Sequence, residues 1–202
     1  MERYIVTRAA WQEFLRQKAE KEKIFGPVQV GSTLQLELIK PDTVERVRLG
    51  LARPVQPLKF FLLPYQEQVL PELSGERPSV ILGATACDLK GLKVLDQVFS
   101  QGDFKDPNYI RRRDSVLIVS VDCGRPLDVC FCESVGGHPY PEDGFDINLT
   151  VLEEDLLLEV TSPKASQFLS GIKSLRTATE KDLIRRSNLK AEKSGDCEIL
   201  QP

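Results

Sequence analysis

The chain has 202 residues, of which 41% are hydrophobic and 28% charged, with a formal net charge of −3. That is enough chain to bury one sizeable core. The absence of a strongly basic balance disfavours nucleic acid as the main partner, and no apolar stretch approaches the roughly 18–20 residues of a membrane-spanning helix.

In chain order, residues 1–8 are already interrupted by charge, which disfavours a signal segment and points to a cytoplasmic chain with reduced thiols. Residues 8–23 read as an amphipathic helix, with Trp11, Phe14, Leu15 and Ala19 on one face and Arg16, Lys18, Glu20 and Lys21 around it. Gly26 and Pro27 are expected to end that helix. Residues 34–38 alternate like a half-buried strand, and 44–49 offer a hairpin partner across 40–43. Prolines at 54, 57, 64, 71 and 78 break up the next stretch, leaving a short buried strand at 60–63 and a short helix at 65–70.

An apolar run at 79–82 predicts a buried strand. Asp88 can then cap a helix over 89–99 whose apolar face is Leu92, Leu95, Val98 and Phe99. A second apolar strand follows at 116–121, completing a strand–helix–strand unit. Residues 146–150 and 156–160 read as two more strands, and 166–175 and 178–189 as helices. The expected fold is mixed α/β. It is a single compact domain over 1–189, with a mixed, partly parallel sheet flanked by helices, cysteine loops at strand ends and a polar tail over 190–202.

Four of the five cysteines stand in or beside loops that follow the two buried strands: Cys87 after the first, then Cys123, Cys130 and Cys132 after the second. Thiolates gathered on one rim of a sheet suit a metal centre. A buried thiol acting as a small hydrophobe is the competing reading, but three cysteines close together beside Gly, Pro and Asp argue against it. A Cys130–Cys132 disulfide would be strained. The spacing lacks both the paired Cys-x2-4-Cys knuckles of structural zinc and the usual ferredoxin run, so it admits a metal without naming it. Cys197 stands apart in the tail. His138, the single histidine, can ligate or carry a proton, although a lone loop histidine is more often simply polar. No hydrolase triad, metalloprotease or phosphate-loop motif is present.

The surroundings of the cysteines carry a resemblance. Residues 57–64, 83–99, 106–113, 123–126, 130–139 and 144–150 are similar, in order and spacing, to the N-terminal domain of the beta subunit of cytosolic NiFe hydrogenases and sulfhydrogenases. The A subunit of anaerobic sulfite reductase and subunits of heterodisulfide-reductase-type complexes are similar to the same family. The resemblance spans roughly residues 20–175. It implies an electron-transfer subunit with a [4Fe–4S] cluster on Cys87, Cys123, Cys130 and Cys132, working in anaerobic metabolism. The implied partners are ferredoxin-like and flavin- or NAD(P)H-linked subunits and a hydrogenase or reductase subunit. Two departures stand out. Thr85 occupies a position where the family usually carries Arg, and the relatives continue into a ferredoxin-like domain that this chain lacks.

Under that reading, Gly83, Gly124, Gly136 and Gly137 let the backbone approach the cluster. Arg111, Arg112, Arg113 and Arg125 can offset its charge, and Ser134 can donate to a cluster sulfur. For the arginines a solvated face is the plain alternative, and for Ser134 an ordinary loop hydroxyl. Two other functions compete with the relay. One is a non-catalytic scaffold or docking subunit with a zinc-bound or metal-free cysteine site. The other is a thiol redox sensor built on Cys130 and Cys132.

Overall fold

The computed structural model describes residues 1–64, 79–124, 127 and 130–196, the side chains of 193–196 excepted. The helix expected at 65–70, Arg125 and Cys197 lie outside the described residues. Within them a single mixed sheet of eight strands carries six α-helices. The chain runs β1 (Glu2–Thr7), α1 (Arg8–Ala19), β2 (Ile24–Val30), β3 (Thr33–Ile39), α2 (Lys59–Leu62), β4 (Val80–Ala84) and α3 (Ala86–Ser100). It continues through α4 (Pro107–Ser115), β5 (Leu117–Val121), β6 (Ile147–Leu152), β7 (Asp155–Val160), α5 (Pro163–Phe168), β8 (Arg176–Thr177) and α6 (Glu180–Asp196).

Across the sheet the strands lie in the order β3-β2-β4-β5-β6-β7-β1-β8. The centre, β2-β4-β5-β6, is parallel, and the flanks are antiparallel. The expected strand–helix–strand unit is β4–α3–α4–β5. The expected terminal strand pair is the antiparallel hairpin β6–β7, in register from Ile147↔Val160 to Leu152↔Asp155.

Both faces are covered, as parallel strands require. Val80 and Leu82 of β4, with Leu117 and Val119 of β5, face a core completed by Trp11, Phe14 and Phe168 from α1 and α5. Their neighbours Ile81 and Ile118 face the other way, onto Leu62, Leu89, Leu92 and Tyr109. Further along that second face α6 lays Leu183 and Leu189 over Ile5, Leu152 and Leu157. Each fully buried aliphatic side chain of this kind contributes about 1.5–3 kcal/mol.

Several local expectations give way to tertiary context. The first helix ends at Ala19, and Gly26 and Pro27 sit inside β2. Pro27 is tolerated there because β4 pairs only with Ile24 and Phe25, so no partner strand awaits the N–H that Pro27 lacks. Its carbonyl instead accepts from Arg48 N at 2.8 Å. The pairing partner of β3 is therefore β2, not residues 44–49. Those residues form a 3₁₀ turn at Val44–Arg46 and a single bridge, Val28↔Val47. The outer side of β3 is met by Val55 N, which donates to Leu34 O at 2.8 Å, and by Gln56 Oε1, which accepts from Leu36 N at 2.9 Å.

Residues 60–63, expected as a strand, are mostly within the short helix α2. The last two helices also differ from expectation. The first of them is confined to Pro163–Phe168, and α6 runs on to Asp196. Strands β1 and β8 were not anticipated.

Candidate metal centre

The candidate site grows from the C-terminal ends of two neighbouring parallel strands, β4 and β5. At the end of β4 the ladder is interrupted between Leu82 and Ala84, where Gly83 has φ +88°. A Cβ at Gly83 would meet the Pro27 ring at 2.7 Å, so the chain can turn here only with glycine. Thr85, 1% exposed, is the N-cap of α3. Asp88, expected as the cap itself, stands three residues on and closes a capping box. Its Oδ2 accepts from Thr85 N at 3.3 Å and from the Thr85 hydroxyl at 2.8 Å, satisfying a donor at the helix start. Arg53 reaches Asp88 Oδ1 at 3.4 Å from the segment after β3. Cys87 thus lies in the first turn of α3, its sulfur 3.1 Å from Thr85 Oγ1.

Cys123 leaves β5 just after Asp122. Its N–H donates to Pro139 O at 2.7 Å, folding the segment that carries Cys130 and Cys132 back across the strand end. Cys130 N donates to Leu127 O at 2.8 Å, Leu127 N donates to Cys130 Sγ at 3.2 Å, and Gly137 N donates to Cys132 O at 2.7 Å. Lys90 of α3 crosses between the two cysteine segments, donating to Gly136 O at 2.8 Å. Gly124 and Gly137 are tightly placed: a Cβ on the first would collide with the Gly50 carbonyl oxygen, and one on the second would lie 2.7 Å from Cys132 O.

The Cys123 pKa is raised to about 12, first by burial and then by Cys87, Cys130, Cys132 and Asp122. The Cys87 thiol is also raised, first by burial and then by Asp88, against the pull of its Thr85 hydrogen bond and Arg53. A thiolate at Cys123 would be repelled by those at Cys87, Cys130 and Cys132, and a donor set of that charge suits a multiply charged cationic core. Among the described residues no three His, Cys, Asp or Glu side chains close around a single point as a metal ion would require. A cluster would take its thiolates at separate corners, and the first two cysteines that could supply them, Cys87 in the first turn of α3 and Cys123 just after β5, leave the same end of two neighbouring parallel strands.

The anticipated arginines of α4 lie elsewhere. Arg111, Arg112 and Arg113 are in α4, which feeds the N-terminal end of β5, whereas Cys123 leaves the C-terminal end. Arg112 is buried and donates to Leu62 O at 3.0 Å, Arg113 reaches Asp96 at 3.2 Å, and Arg111 donates to Asn108 Oδ1 at 2.7 Å. Ser134 lies in an exposed 3₁₀ turn. His138 stacks on Tyr140, with ring centres 5.1 Å apart.

One feature escaped the sequence reading. Asp122, 2% exposed, accepts from Asn148 Nδ2 at 2.9 Å and from Thr150 Oγ1 at 2.6 Å, while Ser120 donates to Asn148 Oδ1 at 2.8 Å. This network bolts β5 to β6 immediately before Cys123. Its signal was available: polar residues at 120, 122, 148 and 150 share one face of two otherwise apolar strands.

The chain is 34% identical over 164 residues to sulfhydrogenase 2 subunit beta of Pyrococcus furiosus. It is similar to a hydrogenase beta subunit. The match covers 78% of this chain and 48% of the sulfhydrogenase subunit, so the chain spans about half the length of that relative. No family model matches the chain. Among the described residues no helix is long and apolar enough to cross a membrane.

Proposed function

We propose that this chain is a cytoplasmic electron-transfer subunit of a multi-subunit redox complex of hydrogenase, sulfite reductase or heterodisulfide-reductase type. In this reading Cys87, Cys123, Cys130 and Cys132 hold one [4Fe–4S] cluster, and the chain does no bond-making chemistry of its own. The observation that best supports the proposal is that Cys87 and Cys123 lie just past the C-terminal ends of two neighbouring parallel strands, with Cys130 and Cys132 on the segment that the Cys123 N–H ties back through Pro139 O. Similarity to a sulfhydrogenase beta subunit supports the setting. Bound there, the cluster would supply one-electron transfer.

The protein's part is to hold and to shield. The Asp122 network fixes where β5 releases Cys123, and the capping box of α3 fixes the turn bearing Cys87. Lys90 joins the two segments and places a cation beside them. Partners on this reading are ferredoxin-like and flavin- or NAD(P)H-linked subunits, together with a hydrogenase or reductase subunit.

Anaerobic reconstitution followed by iron and acid-labile sulfide analysis tests the proposal. A broad absorbance near roughly 400 nm that bleaches on reduction is expected. Protein that takes up neither iron nor sulfide, or that binds one zinc and stays colourless, would be a scaffold instead.

A further inference from the structure

A cavity of about 370 Å³ opens beside α1, lined by none of the cysteines, between that helix, the 44–51 segment and the β6–β7 hairpin. Its volume lies within the range of small-molecule sites, about 300–1,000 Å³. Trp11, Leu15, Val44 and Leu156 give it an apolar base, and Leu49 and Leu51 rise at one side. The polar groups are Arg8, Arg48 and Gln12, and among the described residues no carboxylate lines it.

The two arginines are placed in a way that the fold alone does not explain. Arg8 is the first residue of α1, where the helix dipole opposes a cation by about 0.3–1 kcal/mol. Among the described residues its guanidinium has neither a hydrogen-bond nor an ion-pair partner. Arg48 is held in place by the carbonyls of Glu45 and Val47, at 2.7 and 3.2 Å from one nitrogen, which leaves its other donors open. Beneath them the indole N–H of Trp11 is buried with no acceptor among the described residues.

We infer that this cavity binds a small amphipathic anion, with an apolar body seated against Trp11, Leu15 and Leu156 and one carboxylate, sulfonate or phosphate held by Arg8 and Arg48. An anion there offsets the unfavourable charge at the head of α1 and gives Arg8 the partner it lacks. The site also backs onto the candidate metal centre. Gly50, between Leu49 and Leu51, turns its carbonyl against Gly124, the neighbour of Cys123. Binding itself does not require the cluster, so its test stands apart from that of the proposed function.

Trp11 is the only tryptophan in the chain, so its emission reports on this cavity. The probes are 8-anilinonaphthalene-1-sulfonate and N-phenyl-1-naphthylamine, which share an aromatic body and differ in the anionic group. The sulfonate should quench Trp11 emission with one-site saturation, and the neutral dye should bind about tenfold more weakly. Arg8→Ala and Arg48→Ala, both at exposed positions, should each weaken the sulfonate by about tenfold while leaving far-ultraviolet dichroism unchanged. Leu51→Glu, which puts a like charge into the wall, should expel the sulfonate and spare the neutral dye. Equal affinity for the two dyes, or undiminished sulfonate binding in the doubly substituted Arg8→Ala/Arg48→Ala protein, would overturn the inference. Sulfonate binding that leaves Trp11 emission untouched would overturn it equally.

Discussion

The Lys190 ammonium lies 3.9 Å from the centre of the Tyr140 ring, and that ring stacks on His138 with their planes 8° apart. The contact ties α6 to the segment that returns past the cysteines, and burial lowers the Lys190 pKa. Lys190→Ala should therefore cost about 1–2 kcal/mol, in the range of a partly desolvated cation over an aromatic face. Lys190→Arg should retain most of it. Urea unfolding of both variants measures the difference, and an unchanged midpoint for Lys190→Ala would show that α6 docks through its apolar contacts alone.

Asp122 is the acceptor for two buried donors, so its removal strands both. Asp122→Ala should destabilise by about 1–3 kcal/mol for each donor left open, whereas Asp122→Asn keeps one acceptor and should be milder. Denaturant titration of the two variants checks the order. If Asp122→Ala proves no worse than Asp122→Asn, the network does not brace the strand end.

The ligand set can be read one cysteine at a time. Cys87→Ala, Cys123→Ala, Cys130→Ala and Cys132→Ala should each lower the iron bound after anaerobic reconstitution, and Cys197→Ala should not. Full iron in Cys87→Ala would remove the turn of α3 from the set. Iron analysis with circular dichroism on the same samples separates lost binding from lost folding.

Asp182 begins α6 in the same manner that Asp88 begins α3. Its Oδ2 accepts from Thr179 N at 2.9 Å, and Arg176 holds both carboxylate oxygens, at 2.7 and 3.1 Å. The Arg176 hydrogen bond, the largest influence, together with those from Thr179 holds the carboxyl well below the usual range. Since the folded pKa is depressed, the stabilisation is present above the unfolded value of about 3.9 and fades as pH falls towards the folded one. Asp182→Asn should thus be less stable than the parent by about 1–3 kcal/mol at neutral pH. The gap should narrow below about pH 4, which urea titrations at the two pH values would show.

What could be read from the sequence follows burial. The strands β4 and β5 are continuous apolar runs closed by small residues, so the parallel unit was legible, whereas Cys87, expected in a loop, falls inside α3 because that helix starts at Ala86. Hairpin β6–β7 was legible from the apolar residues that alternate through 147–151 and run together at 156–158. The strand at Glu2–Thr7 was not, because Glu2 and Arg3 hide its apolar half, Ile5 and Val6. The Phe60–Leu63 stretch has strand-like composition, but it follows Pro57, pairs with no strand, and curls into one turn of helix. Pro27 misled in the opposite direction, since its tolerance depends on where a neighbouring ladder stops. The cavity at Arg8 was invisible, being assembled from three regions far apart in the chain.

The two outer strands have a consequence for assembly. β8 is only two residues long, and part of the outer side of β3 is already met by Val55 and Gln56. Among the described residues neither margin presents a long free row of amides for another chain to zip onto, the usual route by which sheets extend between subunits. A protein that joins this chain must therefore recognise its side chains and connecting segments. Its specificity would then be set by residue identity, and a few surface substitutions could redirect it without disturbing the fold.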